Sequence, residues 1–227
     1  MTVLALMVKE PKHPVQEGTV DADGKPVTNS QPLGRGFWYY MLVLLVFTLG
    51  NSSDVFLMLR AQAVHVPLCV IFLVLGGSSL VTSWISTPAG KLSDKIGRKT
   101  VIVAGWLVYA AVYLGFALEA RIGWLMGLFI VYGVYYGLTE GVTSALVADL
   151  VPREKREMAY GWFGAATGVM ALPASIIAGV LFNYQFTGSH WERVAQGTSG
   201  NMPFLLGAVL AGLAAVLMLF LPTRKRQ

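Results

Sequence analysis

The stretch GKLSDKIGRKT, residues 90–100, is a short charged segment between two long apolar ones. It holds four basic residues and one acid, Asp94, and it contains two glycines, Gly90 and Gly97. Charged side chains are costly at bilayer depth, so the stretch predicts a loop between two membrane-spanning helices. The glycines allow tight turns and close helix approach, and Asp94 is placed to pair with Arg98 or to cap the following helix.

The rest of the chain has the composition of a membrane protein. Of 227 residues, 55% are hydrophobic and 13% are charged, whereas soluble domains carry about 25% charged residues. A helix needs about 20 mostly apolar residues to cross a bilayer. We therefore predict an all-α membrane protein with six transmembrane helices, at 37–59, 67–89, 101–118, 122–147, 158–183 and 203–222.

The distribution of basic residues predicts the orientation. Fourteen of the 17 lysines and arginines fall in the N-terminal polar stretch, two loops and the C-terminal tail, all on one side of the predicted spans. Cytoplasmic loops carry an excess of Lys and Arg, so both termini are expected in the cytoplasm. The same rule accounts for the net charge of +5 without a nucleic-acid partner. The exceptions are Arg60, Arg121 and Arg193.

We divide the chain into three parts. Residues 1–36 begin with a short apolar segment and continue as a polar linker, and we expect the end of a preceding helix and a cytoplasmic linker. Residues 37–223 form the predicted six-helix bundle, and residues 224–227 a basic cytoplasmic tail.

Residues 90–100 resemble the signature loop of the major facilitator superfamily of secondary transporters, approximately G-x-L-a-D-r-x-G-r-k. The stretch DLVPREKR, residues 149–156, is similar to the family's acid-x-x-P-x-x-x-R pattern after the fourth span. The resemblance implies that the two loops form a latch at the cytoplasmic ends of the helices. Its members would be Gly90, Asp94, Gly97, Arg98, Asp149 and Arg156.

Members of this superfamily have twelve spans in two six-span halves, so the resemblance implies half of a twelve-helix fold. The apolar start, the polar linker and the basic tail resemble those of a C-terminal half, which is the half that we expect. The expected function is alternating-access transport of a small solute, driven by protons, across a bacterial plasma membrane. Resemblance to exporter-like members favours efflux. The expected partners are the lipid bilayer, the substrate, protons, and a missing N-terminal half or a second copy of the chain.

Ionisable residues inside predicted spans are candidate functional groups. Asp54 lies late in the first span, with Asn51 one turn earlier on the same predicted face. They line a cavity or its outer mouth, or else Asp54 makes a polar helix contact or lies at the headgroup boundary near Arg60. Both interpretations stay open.

The fourth span carries a polar stripe at four-residue spacing, formed by Tyr132, Tyr136, Glu140 and Ser144. We expect this stripe to face a central cavity, with a buried Glu140 that exchanges protons. The neighbouring small residues predict close contact with another helix, and the fifth span carries a similar pair and a proline that predicts a kink. These positions are Gly133, Gly137 and Gly141, Gly164 and Gly168, and Pro173.

Other function classes fit the sequence less well. The spans contain no clustered His, Cys and carboxylate set, and the chain lacks a GxxxxGK[ST] loop, so we expect no enzyme, cofactor, metal site or catalytic residue. The alternative to a transporter is a six-span membrane interaction or regulatory protein without transport of its own.

Overall fold

The computed structural model describes residues 33–51, 54–63, 65–118, 121–186 and 201–221. These residues form seven α-helices and one 3-10 turn, which confirms the all-α prediction for the described part of the chain. The predicted linker up to residue 32 and the basic tail lie outside the described residues. The helices are α1 Arg35–Gly50, α2 Val55–Ala63, α3 Leu68–Ile96, α4 Arg98–Leu118, α5 Ile122–Leu150, α6 Arg156–Phe186 and α7 Met202–Leu219.

Six helical segments among the described residues are long and apolar enough to cross a membrane, and they coincide with the six predicted spans. The first is not one continuous helix, because α1 ends at Gly50 and α2 begins at Val55. Gly50, Asn51 and Asp54 explain the break: glycine has low helix propensity, and Asn and Asp side chains compete for backbone hydrogen bonds.

The charged stretch at 90–100 is not the loop that the sequence predicted. Helix α3 continues through it to Ile96, and α4 begins at Arg98, so a single residue, Gly97, makes the corner. Gly97 has a φ of +95°, which favours glycine because it has no Cβ. The turn expected at Gly90 is wrong, since Gly90 lies within α3, and a Cβ built on it would have no described atom within 4 Å beyond its own stretch of helix.

The core of the bundle is aromatic and centres on α4. Trp106, Tyr109 and Tyr113 are almost completely buried along one side of this helix. Phe47 of α1 stacks on Trp106 with ring centroids 4.7 Å apart, and Tyr109 stacks on Tyr113 at 4.1 Å. Lipid is as apolar as these side chains, so the hydrophobic effect does not drive the helices together. Packing between the aromatic rings holds them instead.

Glycines bring α5 against α3. A Cβ at Gly133 would overlap the backbone of Ser78, and one at Gly137 would lie 2.8 Å from Ile85. Two helix backbones approach this closely only where no side chain separates them. The same holds at the crossing of α1 and α7, where a Cβ on Gly207 would lie 2.7 Å from the carbonyl oxygen of Gly50.

The remaining predicted packing glycines have open surroundings. Nothing lies within 4 Å of a Cβ built on Gly141, Gly164 or Gly168, so their predicted helix contact is wrong for the described part of the chain. The spacing of small residues identified these glycines, but it did not predict which faces of α5 and α6 another helix covers. The kink predicted at Pro173 does not interrupt α6, which runs as one helix from Arg156 to Phe186.

The contrast between two glycines of α5 gives a test of the α3–α5 contact. Gly133→Ala forces a methyl group into the Ser78 backbone, and overpacking of this kind costs about 1–3 kcal/mol. Gly141→Ala is the matched control on the same helix, because its new methyl group meets open space. We expect thermal unfolding of the full-length protein in detergent to shift downward only for Gly133→Ala. An equal shift for both variants would contradict the contact.

Candidate functional site

A cavity of about 390 Å³ lies where the start of α2 meets α3 and α5. It brings together four of the five residues predicted from the sequence to line a cavity, namely Asp54, Tyr132, Tyr136 and Glu140. Four hydroxyl residues and a leucine of α3 complete the wall, and they are Leu75, Ser78, Ser79, Thr82 and Ser83.

Asp54 is held at the beginning of α2. Its backbone carbonyl accepts hydrogen bonds from the N–H groups of Leu57 at 3.1 Å and Met58 at 3.2 Å, which start the helix. The hydroxyl of Tyr132 donates to Asp54 Oδ1 at 2.7 Å, and the hydroxyl of Tyr136 lies 3.5 Å from both carboxylate oxygens. Asp54 therefore both lines the cavity and makes a polar contact between α2 and α5.

The polar stripe of α5 lies beside its packing face. Tyr132 and Tyr136 reach Asp54, while Gly133 and Gly137 contact α3. One helix face thus binds the neighbouring helix, and the adjacent face lines the cavity. Glu140 lines the same cavity, but the burial expected for it is wrong, because the described helices leave its side of α5 exposed.

Asn51 does not join this group. It is the C-terminal cap of α1, where its backbone N–H donates to the carbonyls of Phe47 at 2.9 Å and Thr48 at 3.1 Å. The prediction that Asn51 shares a helix face with Asp54 is wrong because the helix breaks between the two residues. Asn51 is also not among the residues that line the cavity.

The hydroxyl wall of α3 is a feature that the sequence analysis missed. Ser78, Ser79, Thr82 and Ser83 recur at i, i+1, i+4 and i+5, which places them on one side of a helix. That spacing was the available signal. Thr82 Oγ1 lies 3.0 Å from the carbonyl oxygens of both Ser78 and Gly133, so this residue also joins α3 to α5.

Two further side chains donate hydrogen bonds to backbone carbonyls near helix ends within the predicted spans. The sequence analysis selected neither of them as a site residue. The buried Tyr109 hydroxyl donates to the carbonyl oxygen of Gly50 at 2.9 Å, where α1 breaks. The buried Arg60 of α2 donates through Nε to the carbonyl oxygen of Phe116 at 3.3 Å, in the last turn of α4. Carbonyls at helix ends need such partners, because lipid offers none.

Three of the signature residues, Arg98, Asp94 and Asp149, are joined by ion pairs at one end of the bundle. Arg98 Nε lies 2.8 Å from Asp149 Oδ2 at the end of α5, and Arg98 Nη2 lies 3.7 Å from Asp94 Oδ1 on α3. Arg98 is the better shielded partner, since 19% of its side chain is exposed, against 64% for Asp94. The corner at Gly97 positions Arg98 between the two carboxylates.

Two more basic residues at this end bind backbone carbonyls. Arg156 donates through Nε to the carbonyl oxygen of Ala148 at 3.2 Å. Lys99, which the sequence analysis placed outside the latch, donates through Nζ to the carbonyls of Leu219 at 2.6 Å and Leu221 at 3.1 Å. A cation at a helix C-terminus is favourable, so Lys99 fastens the end of α7 to the start of α4.

Known proteins resemble this chain over most of its length. The family model described as Major Facilitator Superfamily matches residues 40–227. An uncharacterized MFS-type transporter of Methanocaldococcus jannaschii is 37% identical over 192 residues, which is 80% of this chain and 44% of that protein.

Two further relatives carry names that state a function. A class H tetracycline resistance protein of Pasteurella multocida is 26% identical over 140 residues, or 61% of this chain and 31% of that protein. A multi-drug resistance efflux pump PmrA homolog of Lactococcus lactis is 28% identical over 142 residues, or 63% and 32%. The matched segments thus cover less than half the length of each of these three relatives.

The two acidic contacts of Arg98 differ in a measurable way. Asp149→Asn weakens a 2.8 Å charge-assisted contact and should cost about 1 kcal/mol, whereas Asp94→Asn removes a longer, more exposed pair worth about half of that or less. We expect a larger drop in the unfolding temperature of the full-length protein for Asp149→Asn. Equal drops, or a larger drop for Asp94→Asn, would show that the short contact does not hold this end of the bundle.

Proposed function

The chain belongs to the major facilitator superfamily, and from that premise we propose that it forms the C-terminal half of a proton-coupled secondary transporter. In this proposal a small solute moves by alternating access, in which two six-helix halves rock about a site near the bilayer midplane. The observation that carries the proposal is the 2.7 Å hydrogen bond between Tyr132 and Asp54 at a helix break beside a cavity.

A carboxylate in this position is suited to proton exchange. Ionisable groups within spans are costly, and those retained there commonly mark ion or substrate pathways. Tyr132 donates a hydrogen bond to Asp54 Oδ1 at 2.7 Å, which holds the carboxylate beside the cavity. Glu140, the second carboxylate of the cavity, is the other candidate proton site.

The missing half is the partner that we propose. The relatives are more than twice as long as the part of them that this chain matches. Helix α3 exposes hydroxyls at Ser79 and Ser83 together with the large apolar side chain of Trp84. Lipid is a poor solvent for hydroxyl groups. The exposed hydroxyls therefore support an arrangement in which this side of α3 faces a cavity shared with the second half.

The proposed direction is supported by the relatives, and the proposed orientation by the charges. The similarity to the multi-drug resistance efflux pump PmrA homolog of Lactococcus lactis supports export as the direction. The excess of basic residues at the end that contains Arg98 and Lys99 supports a cytoplasmic position for that end and for both termini. We propose a bacterial plasma membrane as the location.

Transport assays on the full-length protein in proteoliposomes test this proposal. Counterflow of a radiolabelled panel that includes tetracycline and organic cations should identify a substrate, and an imposed pH gradient should drive its uphill movement. Asp54→Asn and Glu140→Gln separate the two proton candidates. The variant that lacks the coupling site should retain counterflow, which needs no net proton movement, and lose uphill transport.

Glu157→Gln is the matched control, because Glu157 is an exposed carboxylate at the start of α6 and does not line the cavity. Its uphill transport should equal that of the unmodified protein. Uphill transport that persists in the Asp54→Asn, Glu140→Gln double variant would overturn proton coupling at this site.

The alternative is a six-span membrane interaction or regulatory protein. It would show no counterflow for any compound of the panel and would co-purify with a separate transporter. The relatives favour transport over this alternative, since they are an MFS-type transporter, a tetracycline resistance protein and a multi-drug efflux pump homolog.

A further inference from the structure

The serine hydroxyls on the cavity wall share one property: each directs its hydrogen to the protein. Ser78 Oγ lies 2.7 Å and Ser79 Oγ 3.0 Å from the carbonyl oxygen of Leu75. Ser83 Oγ lies 3.0 Å from the carbonyl oxygen of Ser79. A carbonyl has no hydrogen to give, so the hydroxyl is the donor in each pair. Since a hydroxyl has one hydrogen, the lone pairs of each oxygen are what this arrangement leaves for a ligand, and lone pairs accept hydrogen bonds.

The other hydroxyls of the wall behave in the same way. Thr82 Oγ1 donates to backbone carbonyls, with those of Ser78 and Gly133 both 3.0 Å away. Tyr132 donates to the carboxylate of Asp54 at 2.7 Å, and the hydroxyl of Tyr136 faces both oxygens of that carboxylate at 3.5 Å. The hydroxyl hydrogens of the wall are therefore directed towards protein acceptors.

The charged side chains of the wall also favour a ligand that donates hydrogen bonds. Asp54 and Glu140 supply two carboxylates, and the residues described as lining the cavity include no Lys, Arg or His. Apart from these groups the wall offers one leucine and the tyrosine rings. A ligand that matches this surface brings hydrogen-bond donors and positive charge, together with some apolar surface.

We propose that this cavity selects organic cations that carry N–H donors, such as primary ammonium or guanidinium compounds, over anions and over cations without donors. The inference rests on the proposed transport function and assigns a substrate class to the same site. An anion would meet two carboxylates and lone pairs only, which is a desolvation cost without compensation. The part of the cavity that these residues line measures about 390 Å³, which is room for one or two fused rings.

Three probes with one naphthalene ring test the inference by fluorescence anisotropy, with the full-length protein in nanodiscs and no ion gradient. They are 1-naphthylmethylammonium, its N,N,N-trimethyl analogue and 1-naphthylacetate. We expect the ammonium probe to bind about tenfold more tightly than the trimethyl analogue, which keeps the charge and lacks the donors. The acetate should bind most weakly of the three.

Variants of α3 isolate the hydroxyl oxygens. The double variant Ser79→Ala, Ser83→Ala should weaken binding of the ammonium probe and leave the trimethyl analogue unchanged. Ser86→Ala is the matched control, because Ser86 lies on the same helix, donates to the Ser83 carbonyl at 3.2 Å and does not line the cavity. Asp54→Asn should weaken binding of both cationic probes, since it removes a negative charge from the cavity wall. The serine variants are exposed surface changes, so they keep the test valid if Asp54→Asn is unstable.

The outcomes separate the ligand class from the transport function. Tighter binding of the acetate, or equal binding of the two cations in the unmodified protein, would overturn the ligand class even if counterflow succeeds. The expected ranking without counterflow of any compound would uphold the ligand class and overturn transport.

Discussion

The backbone of α5 touches the backbone of α3 at Gly133, and the cavity depends on this contact. In lipid, helices associate through packing and hydrogen bonds rather than through the hydrophobic effect, so small residues decide where two helices meet. The contact lets Thr82 of α3 reach the carbonyl of Gly133. It also fixes the rotation of α5, because once Gly133 and Gly137 face α3, the residues one position earlier, Tyr132 and Tyr136, face Asp54.

The break between α1 and α2 is the second element of the site, and neighbouring helices support it. A helix end at membrane depth leaves carbonyls that lipid cannot satisfy. Tyr109 of α4 donates to the Gly50 carbonyl, and Tyr132 of α5 donates to Asp54 on the other side of the break. The break therefore places a carboxylate at the cavity, where a continuous helix would have presented it on a face set by the 3.6-residue period.

Sequence patterns predicted some parts of the site and not others, for identifiable reasons. The four-residue spacing on α5 predicted which of its residues share a face, because that follows from helix periodicity alone. Asn51 and Asp54 were placed on one face by the same reasoning, which failed because the helix breaks between them. The hydroxyl wall was readable from its spacing, but the direction of each hydroxyl hydrogen depends on backbone carbonyls that only the folded helix brings within reach.

By itself, the sequence determined the helical class, the six spans and the charged character of the corner between α3 and α4, since these depend on apolar length, charge and glycine. The tertiary structure decided which charges pair there: Arg98 lies closest to Asp149, and Lys99 binds the end of α7, some 120 residues away along the chain. It also decided that Glu140 is exposed and Arg60 is buried. The physical reason is that periodicity defines the faces of a helix, whereas the neighbour that covers each face is set by packing between helices distant in sequence.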